Sequence, residues 1–71
     1  MNANKLKEVR TRRGMSISEL ARRSKVSRMT IHEIESGDSN PTAKTIESIC
    51  KALDENPNNI FFTHFVNHEY Q

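Results

Sequence analysis

Apolar residues recur at helical spacing along most of this chain, and short polar clusters interrupt the pattern. The clearest run extends from Ser16 to Gly37. Within it Ile17, Leu20, Ala21, Val26, Ile31 and Ile34 keep the three- and four-residue steps of helices, broken once near Ser24–Val26. The break predicts two short helices around a tight bend, a second helix from Ser16 to about Ser24 and a third from Ser27 to about Glu35. Ser16 with Glu19 three residues later has the form of a capping box, in which hydroxyl and carboxylate each satisfy a backbone N–H of the other residue. Ser27 caps the third helix alone, because Thr30 is not the Glu or Gln that a reciprocal box requires. Gly37 closes that helix in the left-handed conformation that glycine adopts without steric cost. Two helices this short cannot bury a core, so the flanks must supply it.

Asn4 to Arg13 predicts a first helix with Leu6, Val9 and Arg10 on one face and Lys5, Lys7, Arg12 and Arg13 around the others. Gly14 stops it, and Met15 enters the core before the second helix begins. A polar loop follows at Ser36–Pro41. The fourth helix, Thr42 to near Leu53, carries Ile46, Ile49, Cys50 and Leu53 as a one-sided stripe. Asn56–Pro57 is a restart signal, with Asn as cap and Pro at the first helical position, and predicts a fifth helix bearing Ile60, Phe61 and Phe62. The fold class is therefore a compact all-α domain of five helices over residues 1–62, with an aromatic tail at 63–71. In the tail Phe61, Phe65 and His68 align on a helix, whereas Phe62, His64 and Val66 alternate on a strand. Phe61, Phe62, Phe65, Val66 and Tyr70 are many apolar groups for a solvated end, and they are expected to form a dimer interface.

Composition sharpens this picture in three ways. At 71 residues, 34% of them hydrophobic and none Trp, the chain is one domain near the size where a single core is marginal, which itself favours dimerisation. The single cysteine, Cys50, excludes an internal disulfide and cannot hold zinc alone; its place in the fourth helix marks a buried small hydrophobe. No run approaches the roughly 18 apolar residues of a membrane span and no signal peptide is visible, so a soluble, cytoplasmic protein with no membrane partner is expected.

The formal net charge of +2 hides a division. Residues 1–35 hold nine Lys and Arg against four Glu, and residues 36–71 hold two Lys against five Asp and Glu. A basic front half beside an acidic back half suits an oriented docking surface, although a solvated surface would account for charge alone. The scaffold gives the charge its meaning. With Ile31 and Ile34 on the buried side of the third helix, Met29, His32, Glu33 and Ser36 point outward, and Arg28 and Thr30 lie on its shoulders. Such a helix fits the major groove of double-stranded DNA. Arg28, Met29, His32 and Glu33 are the expected base contacts: Arg28 grips guanine at N7 and O6, Met29 lies on a thymine methyl, and Glu33 accepts from a cytosine amino group. Expected phosphate contacts are Arg12, Arg13, Ser16, Ser18, Lys25, Ser27, Thr30, Asn40 and Lys44, although for any single one a solvated role is at least as ordinary. No nucleophile–base pairing and no Gly-rich phosphate loop is visible, so neither catalysis nor a cofactor is expected. His64 and His68 are four apart but lack a third ligand, so no metal is expected either.

These residues resemble the helix-turn-helix family of the phage Cro and lambda-type repressors, also known as the XRE family. The likeness covers about Leu6 to Phe61 and rests on a spaced set: Arg10, Gly14–Met15–Ser16, Glu19–Leu20–Ala21, Val26–Ser27–Arg28, Ile31, Ile34–Glu35, Gly37, Asn40–Pro41–Thr42 and Ala52–Leu53. The resemblance implies a lambda-repressor-like fold and an internal ion pair between Arg10 and Glu35, two residues that composition and spacing alone would leave solvated. The chain departs from the family at Ile17, where Gln is frequent and touches DNA, and at Lys25, where Gly usually makes the bend. A lysine there is expected to hold a left-handed backbone at a cost of about 1 kcal/mol. The tail resembles the ends of small controller proteins of restriction–modification systems, which are dimers.

The resemblance implies a prokaryotic or phage transcriptional regulator, a homodimeric repressor on a palindromic operator, with its two recognition helices about 34 Å apart. Two alternatives stand beside it. One is a controller protein that activates transcription, with an acidic group such as Asp38 touching RNA polymerase. The other is an antitoxin-type interaction module whose tail grips a toxin while the domain represses its own promoter.

Overall fold

The computed structural model describes residues 4–62, and the expectations for the tail, including Phe65, Val66, Tyr70, His64 and His68, lie outside the described residues. Five helices follow in order: α1 Leu6–Arg12, α2 Ile17–Ser24, α3 Arg28–Ser36, α4 Ala43–Leu53 and α5 Pro57–Ile60. No strand occurs among the described residues.

Local chemistry sets each start. Ser16 Oγ accepts from Glu19 N at 3.0 Å, Ser27 Oγ from Thr30 N at 3.1 Å, Thr42 Oγ1 from Thr45 N at 3.2 Å and Asn56 Oδ1 from Asn58 N at 2.8 Å. The reciprocal half of the Ser16–Glu19 capping box is not formed. Glu19 instead takes Arg23 Nε at 2.9 Å and lies 3.4 Å from Arg22, because two guanidinium groups one turn away outbid a lone backbone N–H. Asn4 starts α1 with both ends of its amide: Oδ1 accepts from Leu6 N at 3.0 Å, and Nδ2 donates to Ile34 O at 2.9 Å.

Four helices stop on a residue in the left-handed region, at Gly14, Lys25, Gly37 and Asp54. After Gly37 the chain forms a Schellman closure, Gly37 N to Ile34 O at 3.1 Å and Asp38 N to Glu33 O at 2.9 Å. Asp54 makes the same closure with Lys51 and Cys50 carbonyls without the help of glycine. The fifth helix is shorter than its sequence predicts. Phe61 caps α5 rather than riding on it and Phe62 lies beyond it, because the Ile60 carbonyl that would continue the helix accepts Lys5 N at 2.8 Å.

The core draws on every helix: Leu6, Val9, Leu20, Ile31, Ile34, Ile49, Cys50, Leu53 and Ile60 are buried. Met15, Ile17, Ala21, Val26, Ile46, Ala52 and Phe61 pack partly buried around it. Burial first, and the nearby Glu55 carboxylate second, push the Cys50 thiol up to about 11, which keeps it protonated near neutral pH.

Two ion pairs tie distant segments together. Arg10, only 7% exposed, donates from Nε to Glu35 Oε2 at 2.7 Å and from Nη2 to Glu35 Oε1 at 3.2 Å. Its third nitrogen, Nη1, donates to the Met15 carbonyl at 2.8 Å. Arg13 reaches from the end of α1 to the α4–α5 turn, meeting Glu55 at 3.3 Å and the Asp54 carbonyl at 3.2 Å. Hydrogen bonds from the Asn59 side chain and the Asn56 backbone, assisted by Arg13, hold the Glu55 carboxyl below its usual range.

Two outcomes are expected. Glu35→Ala strands a buried guanidinium and should destabilise the domain by about 3–5 kcal/mol, whereas the paired change Arg10→Met with Glu35→Leu should recover most of that loss. Denaturant midpoints of the three proteins check this, and a mild effect of Glu35→Ala would contradict it. Glu55 has a lowered folded value, so its stabilisation is present above the ordinary carboxylate range and is lost as pH falls through that lowered value. Glu55→Gln should therefore be less stable than the parent at neutral pH, with the gap closing as pH falls through and below the ordinary carboxylate range. A gap that stays constant across a pH series would exclude this linkage.

Candidate nucleic-acid interface

The α2–α3 bend is locked by one buried hydroxyl. Ser24 Oγ donates to Leu20 O at 2.7 Å and accepts from Val26 N at 3.3 Å. Lys25 between them sits at φ 61° with its N–H on the Ala21 carbonyl at 2.9 Å, and its side chain is left in solvent. Val26 then turns inward against the core and Ser27 opens α3. With both ends capped, α3 has a fixed rotation about its own axis: Ile31 and Ile34 are fully buried, and the opposite side faces water.

That outer side carries the residues the sequence singles out. Arg28, Met29 and His32 are exposed and Glu33 is half-buried. Met29 is 71% exposed, the one large hydrophobic residue left open among the described residues. Arg28 Nη1 lies 3.4 Å from Ser18 Oγ, which brings the first turns of α2 and α3 side by side. Ser27 donates its hydroxyl to Thr30 Oγ1 at 2.8 Å, so these two groups are already paired with each other. Ser16 is committed to its cap, and Lys25, Asn40 and Lys44 lie exposed in the bend, the α3–α4 loop and the first turn of α4.

The arginines divide sharply. Arg10, Arg12, Arg13, Arg22 and Arg23 each meet a carboxylate, Arg12 loosely at 3.8 Å from Glu8. Arg28 has no carboxylate partner among the described residues. Arg13, read from the sequence as a phosphate contact, spends its guanidinium on the α4–α5 turn. A groove of about 430 Å³ lies beside α3, lined by Lys7, Arg10, Ile17, His32, Glu35 and Ser36. Its one signal in the sequence is that Lys7 lies one turn before Arg10. Ile17 is half-buried at the first position of α2, its side chain an apolar wall of that groove.

Two helices of this length, set by a three-residue bend with the second presenting polar side chains outward, form a helix-turn-helix. The helix-turn-helix family model matches residues 6–59. The chain belongs to the XRE/cI-like helix-turn-helix family. Among solved structures it is similar to the restriction-modification controller protein C.AhdI from Aeromonas hydrophila, with 33% sequence identity and a TM-score of 0.75. That match covers 78% of this chain and 83% of the other. No curated protein matches it. The helix-turn-helix pair is thus that of a DNA-binding regulator of the XRE type. Among the described residues no helix is long and apolar enough to cross a membrane, and no group of three or more His, Cys, Asp or Glu is placed to hold a metal.

Proposed function

We propose that the chain is a sequence-specific transcriptional regulator, a homodimer that represses by laying α3 of each protomer into the major groove of a two-fold symmetric operator. The observation that carries this reading is Arg28. Every other arginine meets a carboxylate, Arg22 and Arg23 sharing that of Glu19, while Arg28 stands at the start of α3 with its fork uncommitted to any acid among the described residues. A planar five-donor group so placed suits the N7 and O6 edge of guanine. Met29 beside it offers a methyl-sized apolar surface for thymine, and Glu33 an acceptor for cytosine. Lys25, Asn40 and Lys44 flank this face at the bend, in the loop and at α4, where the sugar–phosphate strands would pass.

Dimerisation is supported by Phe61 and Phe62, which end the described chain half-buried and lead into Phe65, Val66 and Tyr70. The likeness to a restriction-modification controller protein favours a second reading, in which the same dimer activates transcription. Asp38, exposed directly after α3, is then the acidic group presented to RNA polymerase.

The two classes of contact predict different phenotypes. Arg28→Ala should abolish discrimination at one base pair of each half-site, worth about 1–3 kcal/mol, while Lys44→Ala should weaken all sequences alike and flatten the salt dependence. Competition titrations with single-base variants of a selected duplex, run at several salt concentrations, measure both. Equal losses on specific and random DNA for Arg28→Ala would refute its base contact.

A further inference from the structure

The groove between α1 and α3 has an unbalanced rim over a balanced floor. On the floor the Arg10 guanidinium is fully engaged, with Glu35 taking two of its nitrogens and the Met15 carbonyl the third, so the pair contributes no net charge. On the rim Lys7 is exposed and its ammonium meets no carboxylate among the described residues. Facing it from α3 is His32, also exposed, with Ser36 one turn further on. The remaining wall is Ile17, the first residue of α2, which carries neither charge nor side-chain donor. His32 thus turns toward α1 and the start of α2, toward the flank of α3 rather than along its base-reading edge.

We propose that this groove seats a phosphate diester of the bound DNA strand, held by Lys7 from α1 and by the imidazolium of His32 from α3, so that operator binding takes up a proton at His32. The inference rests on α3 being the major-groove helix, and it moves His32 from the base readers to the backbone contacts. The charged groups around the imidazole are Lys7 and the neutralised Arg10 from α1, with Glu35, Glu33 and Arg28 on α3 itself; α2 contributes only uncharged Ile17 to the groove. A phosphate entering the groove adds a full negative charge beside the imidazole, and a neighbouring negative charge favours the protonated form of such a ring. Affinity for DNA should then rise on acidification within the range of about pH 5 to 8 where histidines ordinarily change charge.

Fluorescence anisotropy of the full chain on a duplex carrying a selected site, in a grid of pH from about 6 to 8 and of salt, tests this. The dissociation constant should fall on acidification by up to about tenfold per pH unit for each protomer, and His32→Ala should flatten that response. His32→Lys, a fixed cation, should bind tightly with no pH dependence. Lys7→Ala should lower the salt slope by about 0.9 for each protomer. None of these changes should alter discrimination between bases. Both positions are exposed, and circular dichroism melts verify that the variants fold. A pH response that survives His32→Ala overturns the proposal, and so does a His32→Ala protein that loses preference at one base pair while keeping its pH and salt slopes. If Arg28→Ala leaves base discrimination intact, the docking of α3 fails instead, a different readout from the one that tests the groove.

Discussion

The arrangement of this domain depends on one guanidinium. Arg10 spends its three nitrogens on Glu35 of α3 and on the carbonyl of Met15 just ahead of α2, so a single side chain fixes α1, the approach to α2 and the back of α3 together. Desolvation offsets much of the attraction in such a buried pair, and its worth lies in orientation more than in net stability. Three segments meet at it with no freedom to slide. Nearby, Asn4 clamps the Ile34 carbonyl and Lys5 the Ile60 carbonyl, closing the first and last helices over the same core. The result is an α3 held from behind, with its outer face left to solvent.

That restraint explains how so small a domain presents a rigid surface. The α2–α3 bend needs a left-handed residue, and a lysine occupies it where glycine would cost nothing. The Ser24 hydroxyl, bonded on both sides, and Val26, packed inward, hold the bend in place around it. The strained position also puts an ammonium into solvent at the edge of the helix pair. Strain and charge placement coincide at Lys25.

Most of this was legible in the sequence where the cause is local. Caps at Ser16, Ser27, Thr42 and Asn56 follow from side chains bonding their own neighbours, and the buried stripes follow from helical period. The outward residues of α3 were then obtained by subtraction. What periodicity could not show is polar and distant. Arg10 and Glu35 are 25 positions apart and read as solvated from spacing; only the family resemblance pairs them. Arg13 and Glu55, 42 apart, had no signal at all, and the groove that joins Lys7 to His32 exists only once α1 crosses α3. Competition between partners was equally hidden. Glu19 prefers Arg23 to the Ser16 backbone, and the Ile60 carbonyl prefers Lys5 to a further helical turn, which is why α5 ends before Phe61.

The central claim is that α3 reads sequence in DNA from a two-fold dimer. Selection of bound duplexes from a random library, followed by mass determination of the complex on the enriched site, tests it most directly. The expected result is a symmetric site with half-sites centred about one helical turn apart, bound by two copies of the chain. A library that yields no enriched sequence, with only salt-sensitive background binding, would contradict it.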